Sequence, residues 1–239
     1  MAFLAHMAMA TKNNLRLARF YRLVFDMVEA WNPNHNSPYS LHVSDGYFDL
    51  HSLLIRPGRE PEVGMNHLGF CTPDLEEVKS KLASRLIEVT ASPPDGRWEE
   101  FRLTDPDGNN LELSKRGWPT YQGRDPLVRH VGIQTADHER LADFYQSVFE
   151  MKEVEREVGS VSLSDGRVNL ELVKTDFTGI RVIGFQVPSI AQIERRLKNS
   201  PPYLFPGEPP IEIHESHRGY FLLDPDGNRV DLSERGWKV

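Results

Sequence analysis

The sequence predicts an α+β protein of four βαβββ modules, paired into two half-barrel domains. Two internal matches carry this prediction. Residues 105–118 (DPDGNNLELSKRGW) and 224–237 (DPDGNRVDLSERGW) agree at ten of fourteen positions, and residues 16–27 and 140–151 agree at eight of twelve. Matches at nearly constant offsets are the signature of a tandem repeat. Two halves of one ancestral design therefore follow each other in the chain.

Each half divides again into two units, and the first unit has the order β-α-β-β-β. Residues 3–10 form a short apolar segment typical of a strand. Residues 15–27 carry apolar side chains at helical spacing, after polar residues that can cap a helix. The unit ends in three predicted strands, at residues 28–31, 39–44 and 47–55.

The second unit begins after a connector rich in proline and glycine at residues 56–64. Its first strand is predicted at residues 66–71, and a helix of about ten residues is predicted from Leu75. The hairpin turn DPDGN suits its position, because proline presets φ and glycine supplies the left-handed backbone. The remaining strands are predicted at residues 85–90, 98–104 and 110–114.

The repeat also predicts the domain boundaries. Residues 1–118 are expected to form an N-terminal two-module domain, residues 119–127 a linker, and residues 128–239 a C-terminal two-module domain. A module with four strands and one helix leaves one face of its sheet uncovered. Pairing two modules would let the sheets curl around a shared cavity, with the helices outside.

The composition argues against two classes of partner and indicates a cellular location. The 28 Lys+Arg are outnumbered by 35 Asp+Glu, and this net charge of −7 argues against a nucleic-acid partner. No apolar run approaches the roughly 20 residues that span a bilayer, so no membrane partner is expected. The single cysteine, Cys71, fits a reducing compartment, and the first residues lack the organisation of a signal peptide. A cytoplasmic location is therefore expected.

The first strands of the modules carry histidine at one equivalent position in three of the four copies. The histidines are His6, His67 and His130, and Val182 takes the place in the fourth module. A lone histidine on an apolar strand is more often a satisfied core residue than a metal ligand. Its recurrence at one position of the repeat favours a ligand role.

The last strand of each half adds a carboxylate. In residues 110–114 the leucines share one face, so Glu112 points to the other, toward the cavity. His6, His67 and Glu112 then provide two imidazoles and one carboxylate, which leave coordination positions open and suit Fe(II), Mn(II), Ni(II) or Zn(II). In the second half Asp231 is the matching carboxylate, but the valine leaves that set one ligand short.

Two more residues are candidates in the first half. His51 lies on the last strand of the first module, opposite Glu171 in the repeat, and could be a fourth ligand or an acid/base. Arg102 could hold an anionic group of the substrate through a bidentate pair. His42, in contrast, is expected to be a surface histidine.

These motifs resemble those of the vicinal oxygen chelate superfamily, which includes glyoxalase I, ring-cleaving extradiol dioxygenases, fosfomycin-resistance thiol transferases and bleomycin-binding proteins. The resemblance rests on the FY-x-x-VF-x-M helix ends, the DPDGN-x-x-[ED]-L strands and the histidines of the first strands, and it covers essentially the whole chain. It implies paired βαβββ modules around a metal ion, with His6, His67 and Glu112 as its ligands.

The chain departs from two patterns within that superfamily. Glyoxalase I-like members carry a further ligand, usually glutamate, where this chain has His51. The ring-cleaving dioxygenases carry a tyrosine three residues before the turn aspartate, where this chain has Arg102. Their active site usually lies in the C-terminal half, whereas here the intact ligand set is N-terminal.

The expected function is a metal-dependent enzyme that chelates a small substrate through vicinal oxygens. The two-His-one-carboxylate set and the four modules favour a ring-cleaving, dioxygenase-like oxidoreductase of an aromatic substrate, with Fe(II) as the cofactor. The alternatives are a glyoxalase-like isomerase or lyase with Mn, Ni or Zn, and a non-catalytic binding protein of the bleomycin-resistance kind. The second half could cover the cavity of the first or form the contact of a homodimer.

Overall fold

The computed structural model describes residues 2–30, 39–58, 62–93, 98–118, 127–201, 211–216 and 219–239. Within these ranges the chain forms two eight-stranded mixed sheets and four α-helices. Each sheet is built from two βαβββ modules, which confirms the predicted α+β class and module order. No helix in these ranges has the length and apolar character needed to cross a membrane.

The first half contains modules one and two. Module one consists of β1 (Phe3–Thr11), α1 (Asn14–Phe25), β2 (Val28–Glu29), β3 (Ser40–Ser44) and β4 (Asp49–Leu54). Module two consists of β5 (Gly64–Cys71), α2 (Leu75–Ser84), β6 (Thr90–Ala91), β7 (Phe101–Thr104) and β8 (Asn110–Ser114). The strand predicted at residues 85–90 is wrong over most of its length, because Arg85 caps α2 and Leu86 adopts a left-handed backbone with φ of 58°.

The second half repeats this plan. Module three consists of β9 (Val128–Thr135), α3 (His138–Phe149), β10 (Lys152–Glu157), β11 (Ser160–Ser164) and β12 (Asn169–Lys174). Module four consists of β13 (Gly179–Gln186), α4 (Ile190–Lys198), β14 (His214–Ser216), β15 (Gly219–Leu223) and β16 (Arg229–Ser233). Residues 119–126, most of the predicted linker, lie outside the described residues.

The strand order puts the candidate ligands in the middle of one sheet. The first sheet runs β2-β3-β4-β1-β5-β8-β7-β6, and the second runs β10-β11-β12-β9-β13-β16-β15-β14. The first strands of paired modules, β1 and β5, are antiparallel neighbours, with His6 opposite Gly69. The last strand of each module, β4 or β8, runs parallel to its first strand. The four central strands therefore carry all the candidate ligands of the first half: His6, His51, His67 and Glu112.

The helices join the two halves through one apolar core. Helices α1 and α3 begin at equivalent caps, where the side chains of Asn13 and Asp137 accept a hydrogen bond from a backbone N–H of the first turn. Helix α1 packs against α4, and α2 packs against α3. The rings of Phe25 and Phe185 stack with centroids 4.0 Å apart, which brings α1 of the first half onto β13 of the second.

The repeated turns also bind the halves to each other. The hydroxyl of Tyr21 donates to Asp224 of the second DPDGN turn at 2.9 Å, and the hydroxyl of Tyr145 donates to Asp105 of the first at 2.9 Å. Asp45 of the first Ser-Asp-Gly turn accepts two backbone N–H groups at the start of the second half, at 2.8 Å each. The identity of these motifs in both halves is therefore explained by the interface.

Candidate metal centre

Three side chains singled out by the repeat converge on one face of the first sheet. The Nε2 atoms of His6 and His67, on the neighbouring strands β1 and β5, face each other at 3.2 Å. An Oε2 atom of Glu112, on β8, lies 3.3 Å from Nε2 of His67. His6, His67 and Glu112 are 1%, 9% and 6% exposed. The structure therefore places His67 close to both His6 and Glu112 in a largely water-free place, whereas the group of three that contains both histidines and has all its ligand atoms within 4.8 Å of one another is His6, His51 and His67. Metal binding by His6, His67 and Glu112 stays a prediction.

The other nitrogen of each imidazole is held by an oxygen acceptor. Nδ1 of His6 lies 2.6 Å from Oδ2 of Asp49, and Nδ1 of His67 lies 2.9 Å from Oδ1 of Asn66. Each Nδ1 donates its proton to that oxygen, so each Nε2 carries a lone pair. When both imidazoles are neutral, two lone pairs and a carboxylate then point at one another, whereas a proton on Nε2 of His67 is donated to Glu112. This donor set fits a divalent cation, with Asp49 and Asn66 as the outer partners that orient the imidazoles.

His51 joins this cluster from β4. Ring nitrogens of His51, His6 and His67, one from each, lie within 4.8 Å of one another. Its Nε2 is 2.8 Å from the hydroxyl oxygen of Ser40, and its ring stacks on that of His42 with centroids 4.3 Å apart. Both roles predicted for His51, as a fourth ligand or as an acid/base, are compatible with this position.

Two residues of the site were missed by the sequence analysis. Asp49 has no exposed surface, and its Oδ2 accepts from Nδ1 of His6 and from Nδ1 of His42 at 2.9 Å. The prediction that His42 lies on the surface is wrong, since it is 7% exposed. It pairs with His51 across β3 and β4, and neighbours paired in this way point to the same face of a sheet. The spacing Asp49-x-His51 in β4 was the available signal, because residues i and i+2 share a face.

Electrostatics favour carboxylates that are ionised and a His6 that is neutral. Burial lowers the pKa of His6, and this effect exceeds the opposing effect of Asp49. Burial alone would raise the pKa of Asp49, but His42 and the hydrogen bonds it receives lower it. Burial likewise opposes ionisation of Glu112, but His67, His6 and Arg102 outweigh it and lower its pKa to about 2. Near neutral pH the centre thus offers anionic oxygens and an imidazole lone pair, which is what a metal ion requires.

Arg102 stands beside this centre on β7, directly opposite Glu112 on β8. Its Nη2 is 3.2 Å from Oε1 of Glu112, and the same nitrogen pairs with the buried carboxylate of Glu99. The arginine side chain is 44% exposed, so part of it still faces solvent. The guanidinium is therefore engaged by two carboxylates, and its predicted contact with an anionic substrate group remains a prediction.

A tryptophan covers one side of His6. The ring of Trp118, from the last residues of the first repeat, stacks on His6 with centroids 4.7 Å apart and planes 6° from parallel. A Cβ atom on Gly69 would lie 2.6 Å from that ring, so only glycine allows this approach. Trp237 stacks on His130 in the same way at 4.9 Å. The recurrence of Arg-Gly-Trp in both halves was the sequence signal for this packing.

The second half has a different set of groups at the equivalent place. Nδ1 of His130 lies 3.0 Å from Oδ1 of Asn169, and its Nε2 lies 3.7 Å from Glu171. Asp231 pairs with Nε of Arg229 at 2.7 Å, so an internal cation already faces that carboxylate. Val182 supplies no donor atom. Within the ranges that the structure describes, clusters of three or more possible ligands occur in the first half alone.

Several solved structures share this fold at low sequence identity. The 2,3-dioxygenase LapB from Pseudomonas sp. KL28 is 15% identical with a TM-score of 0.73, over 99% of this chain and 93% of that chain. The Mn(II)-bound glyoxalase from Novosphingobium aromaticivorans is 12% identical with a TM-score of 0.75, over 99% and 83%. Homoprotocatechuate 2,3-dioxygenase from Brevibacterium fuscum is 12% identical with a TM-score of 0.71, over 99% and 81%.

The family is shown by the sequence as well as by the fold. No curated protein sequence matches the chain. The model of the Glyoxalase/Bleomycin resistance protein/Dioxygenase superfamily, however, matches residues 3–113 and again residues 127–232. These two matches cover most of each half and nearly all of the chain. The protein therefore belongs to the Glyoxalase/Bleomycin resistance protein/Dioxygenase superfamily.

Proposed function

We propose that this chain is a metal-dependent enzyme whose His6, His67 and Glu112 hold one divalent transition metal ion, with Fe(II) favoured. The observation that carries the proposal is the pair of opposed Nε2 atoms at 3.2 Å, each on a ring whose Nδ1 already donates to an oxygen. Such a pair is repulsive on its own. A shared cation between the two lone pairs and Glu112 removes that repulsion.

The reaction class that this set supports best is ring cleavage of a small aromatic substrate with two vicinal oxygens. Two histidines and one carboxylate would hold the ion and would leave coordination positions open for substrate and dioxygen. A bound Fe(II) would supply Lewis acidity to the substrate oxygens and electrons to dioxygen. Solved 2,3-dioxygenases share this fold.

The residues around the ligands have distinct proposed roles. If Glu112 rather than His51 completes the ligand set, His51 lies close enough to take a proton from a substrate hydroxyl as a general base. Arg102 holds Glu112 by an ion pair at 3.2 Å, and its exposed part can contact a substrate carboxylate. Trp118 walls the site beside His6 and limits how a substrate ring can approach.

One observation favours a second candidate, a glyoxalase-like isomerase or lyase. The nitrogens of His51, His6 and His67 lie within 4.8 Å of one another, so His51 could serve as a fourth ligand. Four protein ligands would leave room for two substrate oxygens but none for dioxygen. Mn, Ni or Zn would then suffice, since Lewis acidity alone is used.

Metal analysis and oxygen uptake test the proposal together. Protein purified anaerobically and reconstituted with Fe(II) should hold about one iron per chain, and His67→Ala should hold none. The matched variant His130→Ala should retain it. The iron-loaded protein should consume oxygen with catechol or 3,4-dihydroxyphenylacetate. Stoichiometric metal without oxygen uptake, together with isomerase activity, would favour the second candidate. No metal in any of these proteins would exclude both enzymes and leave a small-molecule binding protein.

A further inference from the structure

A cavity lies between the two halves, and no candidate metal ligand lines it. It has a volume of about 190 Å³, and its apolar wall includes Phe25, Phe185, Leu127, Val187 and Ile193. A cavity of about 150 Å³ with such a lining holds a benzene molecule. This cavity therefore has room for one six-membered ring with a small substituent.

The cavity opens to solvent at a charged pair. The side chains of Arg196, on α4, and Asp26, at the end of α1, are 28% and 71% exposed, whereas Phe25 and Phe185 are buried. The Nη2 atom of Arg196 donates to Oδ2 of Asp26 at 3.1 Å, and its Nη1 atom donates to the backbone oxygen of Val24 at 2.9 Å. These two contacts use part of the five N–H donors of the guanidinium. An exposed ion pair is weak, so a second carboxylate can compete for Arg196 at the mouth.

The other carboxylate of the cavity serves the backbone. Oδ1 of Asp45 accepts from the N–H groups of Tyr47 and Phe48, and Oδ2 accepts from those of Leu127 and Val128. Four donors occupy the acceptor positions of this carboxylate and offset its charge. Asp45 is therefore part of the wall, and Arg196 is the charged group that a ligand can reach.

The equivalent interface, between α2 and α3, has a larger side chain at one position. Phe3 takes the place of Leu127 in the repeat, and the guanidinium of Arg167 lies 4.7 Å from the centroid of its ring. A phenyl ring occupies more volume than the side chain of leucine. The leucine thus leaves space at the interface of α1 and α4 that phenylalanine fills in its counterpart.

The same comparison shows a difference in charge. Lys81, the counterpart of Arg196, pairs with Glu77 and Glu150 at 2.7 Å each. Gln192 stands at the position of Glu77, so among the described residues Arg196 has one carboxylate fewer beside it. The interface that has the cavity therefore also has the positive charge that an anionic ligand would compensate.

We propose that this cavity binds a small monocyclic aromatic carboxylate. The ring packs against Phe25, Phe185 and Leu127, and the carboxylate pairs with Arg196 at the mouth. Such a ligand contacts both halves, because α1 belongs to the first half and β13 and α4 belong to the second. Binding therefore stabilises the docked arrangement of the halves. This site is independent of the proposed function, since it requires no metal ion.

Benzoate and the metal-free protein test the site. Methyl ¹H–¹³C spectra should show a saturable shift of the Ile193 signal, which reports on the cavity and not on the metal centre. Leu127→Phe, which copies Phe3, should abolish this shift. Arg196→Gln should weaken benzoate binding by at least about tenfold, because a charged hydrogen-bond partner is lost. The matched control Lys81→Gln, at the equivalent interface, should bind benzoate as the parent protein does.

Two results would overturn the site. One is an Ile193 signal of the parent protein that does not respond to benzoate up to about 20 mM, where only negligible affinity escapes detection. The other is a benzoate affinity that is unchanged in Arg196→Gln. This variant alters an exposed side chain, so it decides the matter even where Leu127→Phe fails to fold.

A neutral probe separates the contribution of the charge from that of the ring. Benzyl alcohol has the same ring without a charge, so it should bind the parent protein at least about tenfold more weakly than benzoate. It should bind Arg196→Gln as it binds the parent protein. Benzyl alcohol that binds the parent protein as tightly as benzoate would contradict a carboxylate ligand.

Discussion

The first half presents three histidines and a glutamate on its four central strands, whereas the second half presents one histidine, a glutamate, a valine and an aspartate at the same positions. The two sets are His6, His51, His67 and Glu112, and His130, Glu171, Val182 and Asp231. The strand orders of the two sheets are nevertheless the same. The difference therefore concerns donor atoms and not the frame that carries them.

The residues that recur in both halves have structural roles. Tyr21 of α1 donates to Asp224 in the second half, and Tyr145 of α3 donates to Asp105 in the first half. The tryptophan at the end of each repeat stacks on the first-strand histidine of its own half. Residues that are identical in the two halves thus stabilise the fold and the interface between the halves. Residues that differ between the halves include the candidate metal ligands.

The largest expected effect is a loss of metal affinity when one ligand of the first half is replaced by its counterpart from the second half. His67→Val reproduces Val182 and removes one donor from the three-ligand set. Loss of an outer-shell partner alone usually costs 10–100-fold in metal affinity, so loss of a ligand should exceed about 100-fold. Titration of the metal-free variant with Fe(II) or Zn(II) measures it. The matched control is Val182→Ala, which should bind metal as the parent protein does. Parent-like affinity in His67→Val would refute the ligand assignment.

The next largest effect is the contribution of Glu112 to the pH dependence of folding stability in the metal-free protein. Its pKa is lowered from 4.5 to about 2, mainly because His67 outweighs the effect of burial. The ionised carboxylate therefore stabilises the folded state above about pH 4.5, and this stabilisation is lost as the pH falls toward about 2. The gap corresponds to about 3 kcal/mol.

Glu112→Gln should remove that pH dependence. Urea unfolding of the metal-free proteins should show the parent losing about 3 kcal/mol relative to Glu112→Gln between about pH 5 and pH 2. Asp231→Asn is the matched control, because it neutralises the carboxylate that faces Arg229 at the equivalent place in the second half. A parent protein and Glu112→Gln variant that respond identically to pH would show that Glu112 lacks the histidine contacts described here.

A smaller effect is expected from the outer partner of His6. Asp49→Asn copies Asn169 of the second half and replaces the carboxylate that holds Nδ1 at 2.6 Å. The amide oxygen can still accept, but it orients the ring less strongly and adds no charge. Metal affinity should fall by about 10–100-fold, as for other outer-shell partners. The reciprocal variant Asn169→Asp should leave it unchanged, and equal affinity in both variants would remove Asp49 from the site.

The sequence located the fold and three of the central residues for a physical reason. Repeats reveal which strands are equivalent, and alternation along a strand reveals which side chains share a face. These two rules predict that His6, His67 and Glu112 lie on one face of the first sheet. They also predict that His51 lies at the position equivalent to Glu171.

The same rules could not predict the rest of the site. His42 lies in a short strand whose buried face depends on its pairing with β4, and pairing register is a tertiary property. Asp49 looks like an ordinary strand-edge carboxylate until two histidines are seen to donate to it. The strand predicted at residues 85–90 failed because the end of α2 requires a tight turn there, which apolar pattern alone does not reveal.

The smallest expected effect concerns the tyrosine–aspartate hydrogen bonds that occur in both halves. Tyr21→Phe and Tyr145→Phe each remove one buried hydrogen bond to a turn aspartate, at the same distance of 2.9 Å. Each should lower the free energy of unfolding by about 1 kcal/mol, because the aspartates keep their other donors. Burial raises the pKa of Asp105 and raises that of Asp224 to about 6, so urea unfolding is measured at about pH 8, well above the value for Asp224. Equal losses of unfolding free energy in the two variants, with unchanged metal affinity, would show that these hydrogen bonds stabilise the fold without affecting the metal centre. A loss in one half alone, or a weaker metal site in Tyr145→Phe, would mean that docking of the halves also shapes the metal centre.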